Sequence, residues 1–277
     1  MGVVIACANQ KGGVGKTTTI VNLAAYLALE GRHVLVVDLD PQGNATSGLG
    51  LERAAGRNSV YPALVEDAPI STLICPTAVE PLFVIPSASD LAGAEVELVT
   101  LPQRERRLGR AIAPLVDSFD FILLDCPPAV GLLTVNALAA ADAVLVPLQC
   151  EYYALEGLSQ LLSTLELVRD HLNPRLGLAG VVLTMFDART TLSADVVAEV
   201  RRHLGDTVFQ TVIPRSVRLA EAPSHGQPVF AYSPESRGAR AYHELALELL
   251  ARPTIVRSEV PAVPARGQPE AMAGRPA

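Results

Sequence analysis

The chain has 277 residues, 49% apolar and 18% charged, with a formal net charge of −7. That length suits one large α/β domain or two small ones, and the composition excludes a disordered or fibrous chain. The acidic balance argues against a protein coated in nucleic acid, yet it permits a local basic patch, because nearby charges set the field at a groove. In chain order, apolar β-branched runs alternate with helical patterns, the signature of a mostly parallel, twisted sheet with helices on both faces. A strand is predicted at 3–9, then a glycine-rich loop, then a helix from about Lys16 to Glu30 that Gly31 ends. Strands follow at 33–40, 81–87, 119–128, 142–149 and 176–186, with 206–214 as a last core strand. Their doubly apolar character suits strands covered on both sides. Helices are expected at about 103–116, 131–141, 154–172, 190–204 and 235–251. Residues 1–252 read as one domain, and 253–277, with five prolines and no sustained periodicity, as a disordered tail.

Targeting signals are not expected. "MGVVIACANQ" lacks a basic n-region, no apolar run is long enough to span a bilayer, and Ala6 stands where a myristoylation pattern wants Ser or Thr. The four cysteines, Cys7, Cys75, Cys126 and Cys150, have no CxxC spacing. They read as reduced, mostly buried thiols of a cytosolic protein rather than a disulfide frame or zinc site.

The stretch "NQKGGVGKTTT" (9–19) holds both lysines of the chain, Lys11 and Lys16; every other cationic side chain of the Lys/Arg type is arginine. A strand, a glycine loop ending in Gly-Lys-Thr and a helix form a phosphate cradle. Backbone amides of Gly12, Gly13, Val14, Gly15, Lys16, Thr17 and Thr18 and the helix N-terminus point at the anion, and Lys16 reaches the outer phosphates. The Thr17 hydroxyl is placed for Mg²⁺. The loop departs from G-x-x-x-x-G-K-[ST], since Gln10 occupies the first glycine position and an extra lysine, Lys11, opens the loop. A compact ammonium suits a phosphate oxygen in a tight cavity better than a broad guanidinium fork, although codon bias could equally favour arginine elsewhere.

Asp38 and Asp40, in "VDLDPQGN", lie at the end of the second strand, at the carboxyl edge where open α/β sheets bind ligands. Asp125, after four apolar residues in "FILLD", reads as a Walker B carboxylate. Structural alternatives are a turn former for Asp38 and a helix cap for Asp125.

With Lys-Gly-Gly-Val-Gly-Lys-Thr in this setting, the chain resembles the deviant Walker A ATPases, the P-loop family of ParA, MinD and the nitrogenase iron protein. "DPQGNATSGLG", "EYYALEGL" and "PRSVRLAEAPS" extend the likeness over about residues 2–250 and bring it nearest the small chromosomal ParA proteins of the Soj type. The resemblance implies that Lys11 projects across a dimer interface to the partner's ATP, that Asp40 orients the attacking water, and that Asp125 supports Mg²⁺ through water. It places Pro214 and Arg215 near the adenine, with Ser216 where the family often has Asn. It also puts residues 148–158 at the dimer and switch region, where the tyrosines could equally be half-buried helix anchors.

Such proteins bind ATP and Mg²⁺, form homodimers, attach non-specifically to double-stranded DNA in the nucleoid, and hydrolyse ATP when a ParB-like partner stimulates them. Arg218 matches a DNA-binding position. Arg189, Arg201, Arg202, Arg237 and Arg240 are further candidates for a patch, or ordinary solvated surface. The basic run 104–110 reads as an exposed helix. Three rivals stand beside this reading. A MinD-like protein needs a C-terminal amphipathic membrane helix, which the prolines disfavour. An iron–sulfur reductase needs suitably spaced cysteines. A P-loop amide synthetase needs substrate residues of its own.

Overall fold

Val, Ile and Leu run almost unbroken through the central strands, so both faces of the sheet need cover. The computed structural model describes residues 2–52, 58–152 and 154–252. Among these, eight strands form one sheet. They are β1 (Val3–Cys7), β2 (Val34–Asp38), β3 (Cys75–Pro76), β4 (Leu82–Ile85), β5 (Phe121–Asp125), β6 (Ala143–Gln149), β7 (Gly177–Phe186) and β8 (Val208–Pro214). Their order is β3-β4-β2-β5-β1-β6-β7-β8, with every neighbour parallel except β3 and β4.

Helices in chain order are α1 (Lys16–Leu29), α2 (Asn44–Gly48), α3 (Tyr61–Val65), α4 (Leu91–Glu97), α5 (Arg107–Ile112) and α6 (Leu132–Ala140). They continue with α7 (Ala154–His171), α8 (Thr191–Leu204), α9 (Val217–Glu221), α10 (Val229–Tyr232) and α11 (Arg237–Ala251). Alternate residues of each strand feed two cores. Val4 and Ala6 join α3 to α8 on one face, whereas Ile5 and Cys7 join α1, α2 and α9 to α11 on the other. Burying an aliphatic side chain such as Leu35 or Ile5 contributes about 1.5–3 kcal/mol, which is why a doubly covered sheet forms a rigid base for a site.

Register positions that base. Cys7 of β1 and Asp38 of β2 both pair with Asp125 of β5, so the three strands end level. The glycine loop, the Asp38–Asp40 turn and the Asp125 loop therefore leave the sheet side by side at its carboxyl edge.

Seven of the strands fall where the sequence predicts them. The eighth, β3, is a two-residue antiparallel edge that contains Pro76, and it is too short to carry an alternating pattern. The helix expected at 103–116 is instead the α5 turn flanked by 3₁₀ segments at Arg104–Arg106 and Ala113–Ser118, where Pro114 cannot donate to a continuing α-helix. Its basic run is also not simply an exposed face. Arg107 is buried, donates to the carbonyls of Leu64 and Val65, and pairs with Asp67 at 2.8 Å. The Pro-rich tail expected at 253–277 lies outside the described residues.

Candidate nucleotide site

The loop after β1 turns sharply because Gly13 and Gly15 adopt φ of +75° and +91°, a region costly for any residue with a Cβ. Its shape is pinned from neighbouring strands. The Asn9 side chain donates to the carbonyl of Pro147 on β6 at 2.8 Å and accepts from the Lys11 amide at 2.9 Å. On β7, the Thr184 hydroxyl donates to the Val14 carbonyl at 2.8 Å. Lys16 opens α1, is buried, and its ammonium donates to the carbonyls of Asn9 and Lys11, each at 3.0 Å. Three ammonium protons and two carbonyl acceptors leave one donor for an anion.

A cavity of about 340 Å³ lies over this loop, lined by Gly12, Gly13, Gly15, Lys16, Thr17 and Thr18, together with Asp40, Gln42, Asn44, Pro128 and Met185. A second, of about 250 Å³, shares Gly15, Thr18 and Met185 with it and adds Pro214, Arg215 and Ser216 against the apolar Ile213, Leu219 and Tyr242. One end is polar and amide-rich and the other more apolar, an arrangement that suits a nucleoside triphosphate. A separate cavity of about 320 Å³, between Asp67, Arg107 and Arg110, contains none of these loop residues.

Lys11 behaves differently from Lys16. It does not line the phosphate cavity; it is half exposed and pairs with Glu151, just before α7. Tyr152 beside it is 77% exposed, so it is not a buried helix anchor, and Tyr153 lies outside the described residues.

Of the three carboxylates, Asp40 alone reaches the cavity wall, where it also accepts from the Gln42 amide at 2.9 Å. Asp38 is fully buried and does form the turn, accepting from the Asp40 amide at 3.1 Å and the Thr46 amide at 2.8 Å. Burial pushes its carboxyl up to about 6 against the opposing hydrogen bonds from Thr46. Asp125 caps no helix. It is fully buried and neither oxygen makes a hydrogen bond of normal geometry. Burial, and then the charge of Asp38, pushes it well above the usual carboxylate range, while the nearby Thr17 hydroxyl pulls the other way.

Two orphaned carboxylate oxygens beside a hydroxyl at the foot of a phosphate cradle suit a hard cation such as Mg²⁺, held directly or through water. Among the described residues, no cluster of three or more His, Cys, Asp or Glu forms a ready-made metal site, so most ligands of such an ion have to be phosphate and water. Burial pushes the thiols of Cys7 and Cys126 up, which makes them inert rather than cluster-binding.

Of the residues expected here, Gly12, Gly13, Gly15, Lys16, Thr17, Thr18, Asp40, Pro214 and Arg215 line the two cavities, and Lys11 and Val14 do not. Sequence spacing misses Asn9, Gln42, Asn44, Pro128, Thr184 and Met185. None of these carries a signal in the sequence, and Met185 stands out only in the backbone, with a non-glycine φ of +53°.

The six candidate arginines gather at the β7–β8 end of the sheet but not on one plane. Arg189 lies in the turn after β7, and Arg201 and Arg202 on α8 over one face. Arg218 on α9 and Arg237 and Arg240 on α11 lie over the other. Arg189 pairs with Asp187 at 2.6 Å and holds that carboxyl well below its usual range. Arg202 pairs with Glu199, Arg218 with Glu221 and Arg240 with Glu235, while Arg201 donates to the Gln210 carbonyl.

Comparison with known proteins agrees with this geometry. A family model described as an AAA domain matches residues 2–178. The sporulation initiation inhibitor protein Soj of Bacillus subtilis is 58% identical over 251 residues, covering 91% of this chain and 99% of that protein. The chromosome partitioning protein ParA of Myxococcus xanthus is 53% identical, with 92% and 90% covered. Among solved structures, cobyrinic acid a,c-diamide synthase of Mycobacterium smegmatis with bound ADP and magnesium is 42% identical. It superposes with a TM-score of 0.79 over 90% of this chain and 94% of that one. The chain belongs to the ParA/Soj family of chromosome-partitioning ATPases.

Proposed function

We propose that this ATPase works as a nucleotide-gated clasp on DNA. The amides of Gly12 to Thr18 and the ammonium of Lys16 bind the triphosphate, and Pro214 and Arg215 flank the base. Thr17 and, through water, Asp125 hold Mg²⁺, which neutralises charge on the phosphates. Asp40 orients the water that attacks the outer phosphorus. Phosphoryl transfer needs positioning and charge neutralisation more than a strong base, so one water-holding carboxylate is sufficient.

The observation that carries the dimer is the contrast between the lysines. Lys16 is buried in its own cavity, and Lys11 is exposed outside it. An outward ammonium can serve a second copy's triphosphate. Burying it at an interface without a phosphate opposite is costly, so pairing follows ATP occupancy. Two copies double the arginine surface, and phosphate contacts act together through counterion release, so DNA attachment also follows ATP. A ParB-like partner then stimulates hydrolysis and release, with the protein held in the cytoplasm on the nucleoid.

Among the described residues, no helix is long and apolar enough to cross a membrane. The identity to Soj and ParA over nearly the whole chain favours partitioning over the amide-synthetase reading that the mycobacterial structure raises.

Sedimentation with ATP or ADP, with and without duplex DNA of arbitrary sequence, tests the clasp. Wild type should pair and load on DNA with ATP only, and Lys11→Ala should stay single and off DNA while still binding ATP. Unchanged ATP-driven pairing in that variant would overturn the role of Lys11. Attachment to lipid vesicles instead of DNA would favour the MinD-like reading.

A further inference from the structure

Asp40 hangs from a closed hydrogen-bond circuit that reaches well beyond its own turn. The Asp40 amide donates to Asp38 Oδ1 at 3.1 Å. The other oxygen, Asp38 Oδ2, accepts from the Thr46 hydroxyl at 2.7 Å. The oxygen of that hydroxyl accepts from the Ser87 amide at 3.0 Å, and the Ser87 hydroxyl donates back to the Asp40 carbonyl at 2.6 Å. Both ends of the circuit are therefore the peptide groups of one residue. Asp38, Thr46 and Ser87 are fully buried and Asp40 is 8% exposed, so water does not compete for these bonds. In such a setting each bond is strong and each loss leaves an orphan.

Ser87 follows β4, 47 residues from Asp40 in the chain, and belongs to none of the nucleotide motifs. Its hydroxyl ties the Asp40 carbonyl to the end of β4, while Asp38 holds the amide of the same residue. The Asp40 side chain, by contrast, lines the cavity and accepts a bond from the Gln42 amide within its own turn. A carboxylate that must hold a water in line with phosphorus gains from a backbone fixed at both its amide and its carbonyl.

We infer that Ser87 and Thr46 are positioning residues for hydrolysis, which act by fixing the Asp40 backbone through this buried circuit. The inference rests on the proposed role of Asp40. It assigns the circuit to the hydrolytic step rather than to ATP binding, because neither Ser87 nor Thr46 lines the phosphate cavity.

The test compares ATP turnover on saturating DNA for Ser87→Ala, Thr46→Val, Thr46→Ser, Asp40→Ala and the double variant Ser87→Ala/Asp40→Ala. A misplacement of a fraction of an ångström to 1 Å should lower kcat by about tenfold to a hundredfold in Ser87→Ala and Thr46→Val. KM for ATP and ATP-driven pairing should be little changed, and Thr46→Ser, which keeps the hydroxyl, should restore most of kcat. Because Ser87 acts through Asp40, the double variant should be no slower than Asp40→Ala. Wild-type kcat in both Ser87→Ala and Thr46→Val, or a loss that multiplies with that of Asp40→Ala, overturns the inference. Slow Asp40→Ala beside normal Ser87→Ala and Thr46→Val overturns it alone. Normal turnover in Asp40→Ala overturns it together with the role of Asp40.

Discussion

Asp125 is the residue at which folding and binding pull in opposite directions. A fully buried carboxylate without a hydrogen-bond partner opposes folding, and an amide of the same shape removes the charge that has to be desolvated. We therefore expect Asp125→Asn to leave the unfolding midpoint of the nucleotide-free protein unchanged or raised. Stabilisation by ATP with Mg²⁺ should shrink, by about 1.4 kcal/mol for each tenfold loss of affinity. Thermal unfolding with and without ATP and Mg²⁺ reads both quantities. Equal ligand stabilisation in the variant and wild type would place Asp125 outside the metal's surroundings. The placement of Asp125, Asp40 and Lys16 was legible in the sequence, since each lies in a contiguous stretch at or just after a strand end. Ser87, Thr184 and Asn9 were not. They reach the site through sheet register and backbone acceptors, and a lone Ser, Thr or Asn in an apolar run has no pattern that foretells such a bond.

Among elements, long ones were read from sequence and short ones were missed. Residues 154–171 and 237–251 repeat an apolar face for four turns or more, which a 3.6-residue period makes plain. The five-residue helices α2 and α9 offer no such repeat, yet α2 begins at Asn44 on the phosphate cavity and α9 carries Arg218. The turn after α2 and the turn after α9 meet at two glycines with positive φ, Gly50 at +86° and Gly226 at +62°. A Cβ on Gly226 would come within 3.1 Å of the Gly50 Cα, and one on Gly50 within 3.0 Å of the Gly226 carbonyl oxygen. Backbone faces backbone there, with no flexible side chain to yield. Gly226→Ala should thus cost about 1–3 kcal/mol through the close contact and the left-handed conformation together. Urea unfolding measures this directly, and a change below about 0.5 kcal/mol would mean that the two turns can part freely.

For the molecule as a whole, the proposed DNA attachment has to be reconciled with a net charge of −7. At least four of the candidate arginines are already engaged by a carboxylate, so a passing phosphate meets ion pairs rather than free cations. Exposed pairs of this kind are screened by water and salt, so a DNA phosphate could take over the guanidinium. One such exchange per protomer gains little; in the proposed ATP-locked pair, every contact would count twice on the same duplex. Arg218 is the most informative position, because it is exposed and tied to Glu221 on α9, and the turn that follows α9 meets the end of α2 at Gly226. If each protomer places one Arg218 on a phosphate, Arg218→Glu should flatten the plot of log affinity against log salt by about 1.8, twice the 0.9 expected per contact on duplex DNA. ATP-driven pairing, followed by sedimentation, should be unaltered. A variant that binds DNA with wild-type affinity and wild-type salt slope would move the contact surface off α9, leaving the arginines of α8 or α11 to supply it.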